Sequence, residues 1–215
     1  MAADTILVLD FGSQYTQLIT REIRELSVYS LQLPWNVKQE ELIGYQPQGV
    51  ILSGGPASIY DPGAPEIPSY LFDLDVPLLG ICYGMQAMAK HLGGEVIPAN
   101  YREYGKALFT VEADNHLIPA GIHQVWMSHG DRIERVPDGF HILGFTENSP
   151  IAAMGDPQKH FYGLQFHPEV KHTPVGKEII KKFLLEICQV ESKWTSEAII
   201  QRSIDHIQEL VGSNT

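Results

Sequence analysis

The chain has 215 residues, 44% of them apolar, and a formal net charge of −11. That size and apolar content suit one large domain with a sizeable core, while the acidic balance excludes the basic face that a nucleic-acid binder needs. No apolar run approaches the ~20 residues of a membrane-spanning helix, Met1-Ala2-Ala3-Asp4 carries no basic leader, and Cys82 and Cys188 are too isolated for a disulfide framework, so a cytoplasmic protein with reduced thiols is expected.

Ile6 to Leu9 reads as a first buried strand. Ser13 is the expected N-cap of a helix carrying Tyr15, Leu18, Ile19, Ile23 and Leu26 on one face. Val28 to Leu33 predicts a second strand, Val37 to Ile43 a short helix, and Val50 to Leu52 a third strand opening into Ser53-Gly54-Gly55-Pro56. A loop rich in Pro, Gly and Asp follows, with a short helix expected in Glu66 to Asp73. Leu78 to Ile81 is a fourth strand, and Met85, Met88, Ala89 and Leu92 mark a helix closed by Gly93-Gly94. Strands alternating with helices imply βαβ units and a mostly parallel sheet, whose ligands gather at the carboxyl ends of the strands. After Gly94 the character changes. Val96-Ile97, Leu108 to Val111, Gln124 to Met127, Phe140 to Phe145 and Ile151 to Met154 predict short strands in an antiparallel extension of that sheet. His160 to Phe166 predicts one more strand, and Val175 to Ile187 a long helix. The fold class is therefore α/β, an open and mostly parallel central sheet flanked by helices.

Chemistry concentrates at the fourth strand. Gly80-Ile81-Cys82-Tyr83-Gly84 has the spacing of a nucleophile elbow with Cys in place of Ser. A helix N-terminus at that point favours thiolate over thiol. A buried structural thiol between two glycines is the competing reading, so the elbow needs a base. His167 and Glu169 supply one if the chain is extended there, since residues i and i+2 point to the same side. His167 would relay the proton and Glu169 would orient the imidazole. Gly54-Gly55 and the Tyr83 amide are the expected oxyanion donors. Ser53-Gly54-Gly55 lacks the Lys-Ser/Thr of a P-loop, and the nine histidines are too scattered for a metal site, so none is expected.

These motifs resemble those of the class I (triad) glutamine amidotransferases over roughly residues 5 to 190: Gly54-Gly55, then Gly80 to Gln86, then Phe166 to Glu169. The resemblance implies a flavodoxin-like fold, catalytic residues Cys82, His167 and Glu169, an oxyanion hole at Gly55 and Tyr83, and glutamine held by Gln86, Ser128 and Asp131. It also implies no cofactor in this chain. Asp10 to Tyr15, Gly80 to Gln86, Met127 to Asp131 and Gln165 to Val170 are similar to the amidotransferase domain of GMP synthetases in particular. The corresponding subunits of anthranilate and aminodeoxychorismate synthases, which usually carry Leu-Gly-His at positions 83–85, rank second. A non-catalytic docking module and a γ-glutamyl hydrolase are further alternatives. The partner implied is an ATP-pyrophosphatase domain or subunit using ATP and Mg, whose Ser-Gly-Gly-x-Asp-Ser loop this sequence lacks. Residues 191–215 are expected to be a linker and an amphipathic helix, Ser196 to Val211, leading towards that domain, so the chain is expected to be an excised domain rather than a natural subunit.

Overall fold

The computed structural model describes residues 4–194 and Ile204, except for the side chains of residues 100 and 101. Nine strands are found among them: β1 (Thr5–Asp10), β2 (Tyr29–Pro34), β3 (Gly49–Leu52), β4 (Leu78–Ile81), β5 (Glu95–Val111), β6 (Gly121–Arg135), β7 (His141–Gly144), β8 (Ala153–Asp156) and β9 (Phe161–Leu164). The helices are α1 (Thr16–Glu25), α2 (Gln39–Gly44), α3 (Tyr83–His91) and α4 (Gly176–Lys182). The main sheet runs β2-β1-β3-β4-β9-β8-β7. Its first five strands are parallel, and β8 and β7 continue it antiparallel.

Strands β3 and β4 are buried along their whole length, which is why they read as unbroken apolar runs. Alternation divides each strand between two cores. Ile6, Val8, Ile51, Leu79 and Ile81 face α1 and α4, meeting Ile19, Ile23, Ile179, Ile180 and Phe183. Leu7, Leu9, Val50, Leu52 and Leu78 face the other way, onto Met85, Met88 and Ala89 of α3. The sheet is thus a layer between two helical layers, and β1, β3, β4 and β9 all deliver their carboxyl ends to one edge.

Four expectations need correction. Helix α1 begins at Thr16 rather than just after Ser13: the Ser13 hydroxyl accepts from the Tyr15 amide (3.0 Å) as a cap would, but residues 14 and 15 form a turn before the helix, and Thr16 Oγ1 donates to Asp10 Oδ1 (2.8 Å). The segments Val96-Ile97, Leu108 to Val111 and Gln124 to Met127 do not extend the main sheet. They belong to two long strands, β5 and β6, that pair with each other as an antiparallel ribbon and meet the main sheet through one antiparallel bridge, Thr110 to Phe145. Only β7 and β8 form the expected extension. The helix expected in Glu66 to Asp73 is a single 3₁₀ turn, Ser69–Asp73, and α4 passes into a π-turn at Phe183–Ile187. The expected tail helix, Ser196 to Val211, lies outside the described residues. Before it, residues 191–194 pack onto the first αβ unit: Glu191 N donates to Asp4 Oδ2 (2.7 Å) and Trp194 N to the Ser27 carbonyl (2.8 Å).

Candidate active site

Strand β4 ends at Ile81, and the chain reverses into α3 through Cys82, which holds φ 51° and ψ −105°. A non-glycine residue there is strained and must be held by its surroundings. The Cys82 amide donates to the Leu164 carbonyl at 2.7 Å, the Gly84 amide to the Ser53 carbonyl at 3.1 Å, and the Gln86 amide to the Cys82 carbonyl at 3.1 Å. The flanking glycines are steric requirements. A Cβ on Gly80 would lie 2.7 Å from backbone atoms of Gly84 and Met85, and one on Gly84 would lie 2.5 Å from the Leu52 carbonyl oxygen. The elbow is therefore wedged between the ends of β3 and β9.

The expected base, His167, follows β9. His167 is pinned through its backbone, its amide donating to the Trp126 carbonyl (3.0 Å) and its carbonyl accepting from Thr173 Oγ1 (2.7 Å). Its Nδ1 lies 2.7 Å from Glu169 Oε1. Pro168 and Glu169 form a turn rather than the expected extended segment, and it is this turn that brings the carboxylate back onto the ring. The other face of the site is Gly54: a Cβ there would stand 3.0 Å from His167 Cε1 and 3.7 Å from Cys82 Cβ. Imidazole and thiol meet over that glycine, and Tyr15 closes the ring edge-on, 5.1 Å between centroids. Burial alone would pull the His167 pKa down. Hydrogen bonds to Cys82 and Glu169, with the negative charges behind them, outweigh it and raise the pKa to about 10.

Cys82, His167, Gly55, Gln86, Ser128 and Asp131 line one cavity of about 820 Å³. Tyr83 is the first residue of α3, where helix amides have no intrahelical acceptor. Its side chain turns away, the hydroxyl donating to the Pro65 carbonyl at 2.6 Å. Gln86 lines the cavity, yet its amide nitrogen donates inward, to the Asp131 carbonyl (2.8 Å) and Gln165 Oε1 (3.2 Å). Ser128 presents its carbonyl 3.4 Å from Cys82 Sγ. Asp131 is buried, and its Oδ2 accepts from Ser58 Oγ at 2.6 Å. Among the described residues no group of three or more His, Cys, Asp or Glu is placed to hold a metal ion, and no helix is long and apolar enough to cross a membrane.

Sequence reasoning did not single out Ser58, and it placed Tyr15 and Gln165 within family-like motifs without a role at the site. Ser58 reaches Asp131 across a separation of 73 residues, and Gln165 reaches Cys82 Sγ (3.8 Å) across 83. Their one local signal was position: Ser58 follows the Gly54-Gly55 turn and Gln165 precedes the Phe166 to Glu169 motif.

The family model for class I glutamine amidotransferases matches residues 7–187. The chain belongs to that family. Curated relatives include the GMP synthase [glutamine-hydrolyzing] of Carboxydothermus hydrogenoformans, 50% identical over 214 residues, and that of Ectopseudomonas mendocina, 47% identical over 221 residues. Each alignment covers 98% of this chain but only 42% of the relative, so the chain spans less than half the length of the curated relatives it matches. Among solved structures, a candidate GMP synthase subunit from Thermoplasma acidophilum is 32% identical with a TM-score of 0.79, covering 94% of this chain and 99% of that one. A glutamine amidotransferase from Thermotoga maritima, 20% identical with a TM-score of 0.69, covers 88% of this chain and all of that one and shares the fold. The sequence expectations of an α/β fold and of glutamine amidotransferase membership both hold.

Proposed function

We propose that this chain hydrolyses glutamine to glutamate and ammonia, and that the ammonia aminates xanthosine monophosphate to GMP on an ATP-pyrophosphatase domain or subunit that uses ATP and Mg. The observation that carries the first half is that Cys82 and His167 line one cavity together with Gly55, with Glu169 Oε1 2.7 Å from His167 Nδ1. That the curated relatives are GMP synthases [glutamine-hydrolyzing] supports GMP as the aminated product.

Cys82 Sγ attacks the side-chain carboxamide carbon of glutamine, and His167 holds the thiol proton. The carbonyl oxygen becomes an oxyanion between the Gly55 and Tyr83 amides, donors of a kind worth about 3–4 kcal/mol each in the transition state. His167 passes its proton to the leaving nitrogen, ammonia departs, and a glutamyl thioester remains on Cys82. Water enters, His167 takes its proton, and collapse of the second tetrahedral intermediate returns the thiol and releases glutamate. Glu169 keeps the His167 Nδ1 proton in place throughout, which leaves Nε2 to serve the sulfur. Asp131 carries a buried negative charge into the cavity, suited to the α-ammonium of an amino-acid substrate, and Ser128 lies beside the reacting sulfur. Gln86 holds the Asp131 carbonyl in place.

Glutamate release from L-glutamine by the chain and by Cys82→Ala tests the first half; equal rates overturn it. Adding a separately prepared ATP-pyrophosphatase domain tests the second, with ATP- and xanthylate-dependent GMP as the expected product. Amination only with a chorismate-using partner would reassign the chain.

A further inference from the structure

At the wall of the cavity, reached through His129, lies a buried polar cluster that the chemistry above leaves unused. Glu103 of β5 and His129 of β6 are almost fully buried, and His129 Nε2 lies 3.2 Å from Glu103 Oε2. The carboxylate also accepts from Ser149 Oγ (2.5 Å) and Thr146 Oγ1 (3.0 Å), with Asn148 Nδ2 at 3.5 Å. On its other edge, His129 Nδ1 lies 2.9 Å from the Asp131 carbonyl oxygen. A carbonyl only accepts, so Nδ1 carries a proton. Ser149 Oγ also lies 3.4 Å from His129 Nε2, so imidazole, carboxylate and hydroxyl form one buried cluster. Burial raises the Glu103 pKa, but these hydrogen bonds outweigh it and hold the carboxyl below its ordinary value.

A buried His–Glu pair is a poor source of stability beside packed apolar groups, but it fixes geometry. Here it fixes Asp131. The Asp131 carbonyl is gripped by His129 Nδ1 and by Gln86 Nε2, and its carboxylate by Ser58 Oγ. Glu103 enters just after the register shift between Pro98 and Glu103 in the β5–β6 pairing, which places it inside while Arg102 and Tyr104, its neighbours along the strand, line the cavity.

We propose that Glu103 and His129 are positioning residues for substrate specificity: the pair holds Asp131 where it meets the α-ammonium of glutamine, and so sets the preference for an α-amino acid over a plain carboxamide. This rests on the reading of the cavity as a glutamine site. Glu103 does not line the cavity, and His129 lines it beside Asp131.

The test needs no turnover. L-Glutamine and glutaramate, the same carboxamide acid without its α-amino group, are each titrated as protectants of Cys82 against iodoacetamide, with labelling read at the Cys82 peptide. In Glu103→Gln the protection constant for glutamine is expected to weaken at least tenfold while that for glutaramate stays within twofold. Ser149→Ala, a milder cut in the same cluster, is expected to shift the same ratio about threefold and serves if Glu103→Gln does not fold. A loss of protection by both ligands alike, or by neither, overturns the positioning role. Asp131→Asn separates the two levels. If it abolishes the preference while Glu103→Gln and Ser149→Ala keep it, the positioning role falls and the glutamine site stands. If Asp131→Asn itself keeps the preference, the assignment of Asp131 to the α-ammonium is overturned and the proposal with it.

Discussion

Gly176 sits directly on Pro168. A Cβ at this first residue of α4 would lie 2.6 Å from the Pro168 carbonyl carbon and collide with its oxygen. Because Pro168 separates His167 from Glu169, the start of α4 acts as the floor of the catalytic turn. Gly176→Ala is expected to lift that turn, costing about 1–3 kcal/mol of stability as an overpacked site does. It should lower glutaminase activity by more than the unfolded fraction accounts for. Chemical denaturation and initial rates on the same preparation check this. A variant with full activity per folded molecule would show that the turn does not depend on α4.

Glu169 approaches His167 from the side away from the sulfur, 2.7 Å from Nδ1. Glu169→Gln leaves the shape and removes the charge that holds the ring's tautomer. The expected outcome is a fall in kcat of about 10²- to 10⁴-fold with the fold intact. Steady-state kinetics with circular dichroism on the same sample measure both.

His167 carries a pKa raised to about 10 in the folded chain, against an ordinary value of about 6.5 when unfolded. Burial opposes the shift, and the bonds to Cys82 and Glu169 overcome it. The folded state therefore binds this proton more tightly. The stability it contributes is complete below about pH 6.5 and is lost progressively as pH rises towards 10. The melting-temperature gap between wild type and His167→Gln should be widest near pH 6.5 and should narrow towards pH 10. A gap that widens with pH would contradict the sign of the shift.

The two thiols should behave oppositely. Cys82 opens on the cavity and accepts from Gln165 Nε2 at 3.8 Å. Cys188 is buried, its pKa pushed far up by desolvation, and packed so tightly on Gly49 that a Cβ there would lie 2.5 Å from its sulfur. Iodoacetamide should label Cys82 alone in the native chain and Cys188 only on unfolding. Gln165→Leu, which removes a donor to the sulfur, should slow the Cys82 reaction about three- to tenfold at neutral pH. Peptide-level mass spectrometry reads each site.

The candidate reactive residues could be proposed from the sequence because local backbone chemistry marks them. Cys82 needs glycines two positions away on each side, and His167 and Glu169 need only Pro168 between them. The parallel sheet was legible for a similar reason, since β1, β3 and β4 are apolar runs buried on both faces. The β5–β6 ribbon was not. Pro98, Gly105 and the shift in register before Glu103 break its alternation, so one 17-residue strand reads as two fragments. The Glu103–His129 cluster escaped for a different reason. Its members join across separations of 20 to 46 residues, and no short pattern in a sequence marks such a meeting.

The central claim is that Cys82 carries a glutamyl thioester. Rapid acid quench of the chain with L-glutamine, alone and together with an ATP-pyrophosphatase domain, ATP and xanthylate, followed by mass spectrometry of the Cys82 peptide, tests it directly. The expected result is a peptide heavier by one glutamyl group in the wild-type chain, discharged by hydroxylamine, and no glutamate release by Cys82→Ala. Glutamate release at the wild-type rate by Cys82→Ala, with no adduct on the wild-type peptide, would contradict it.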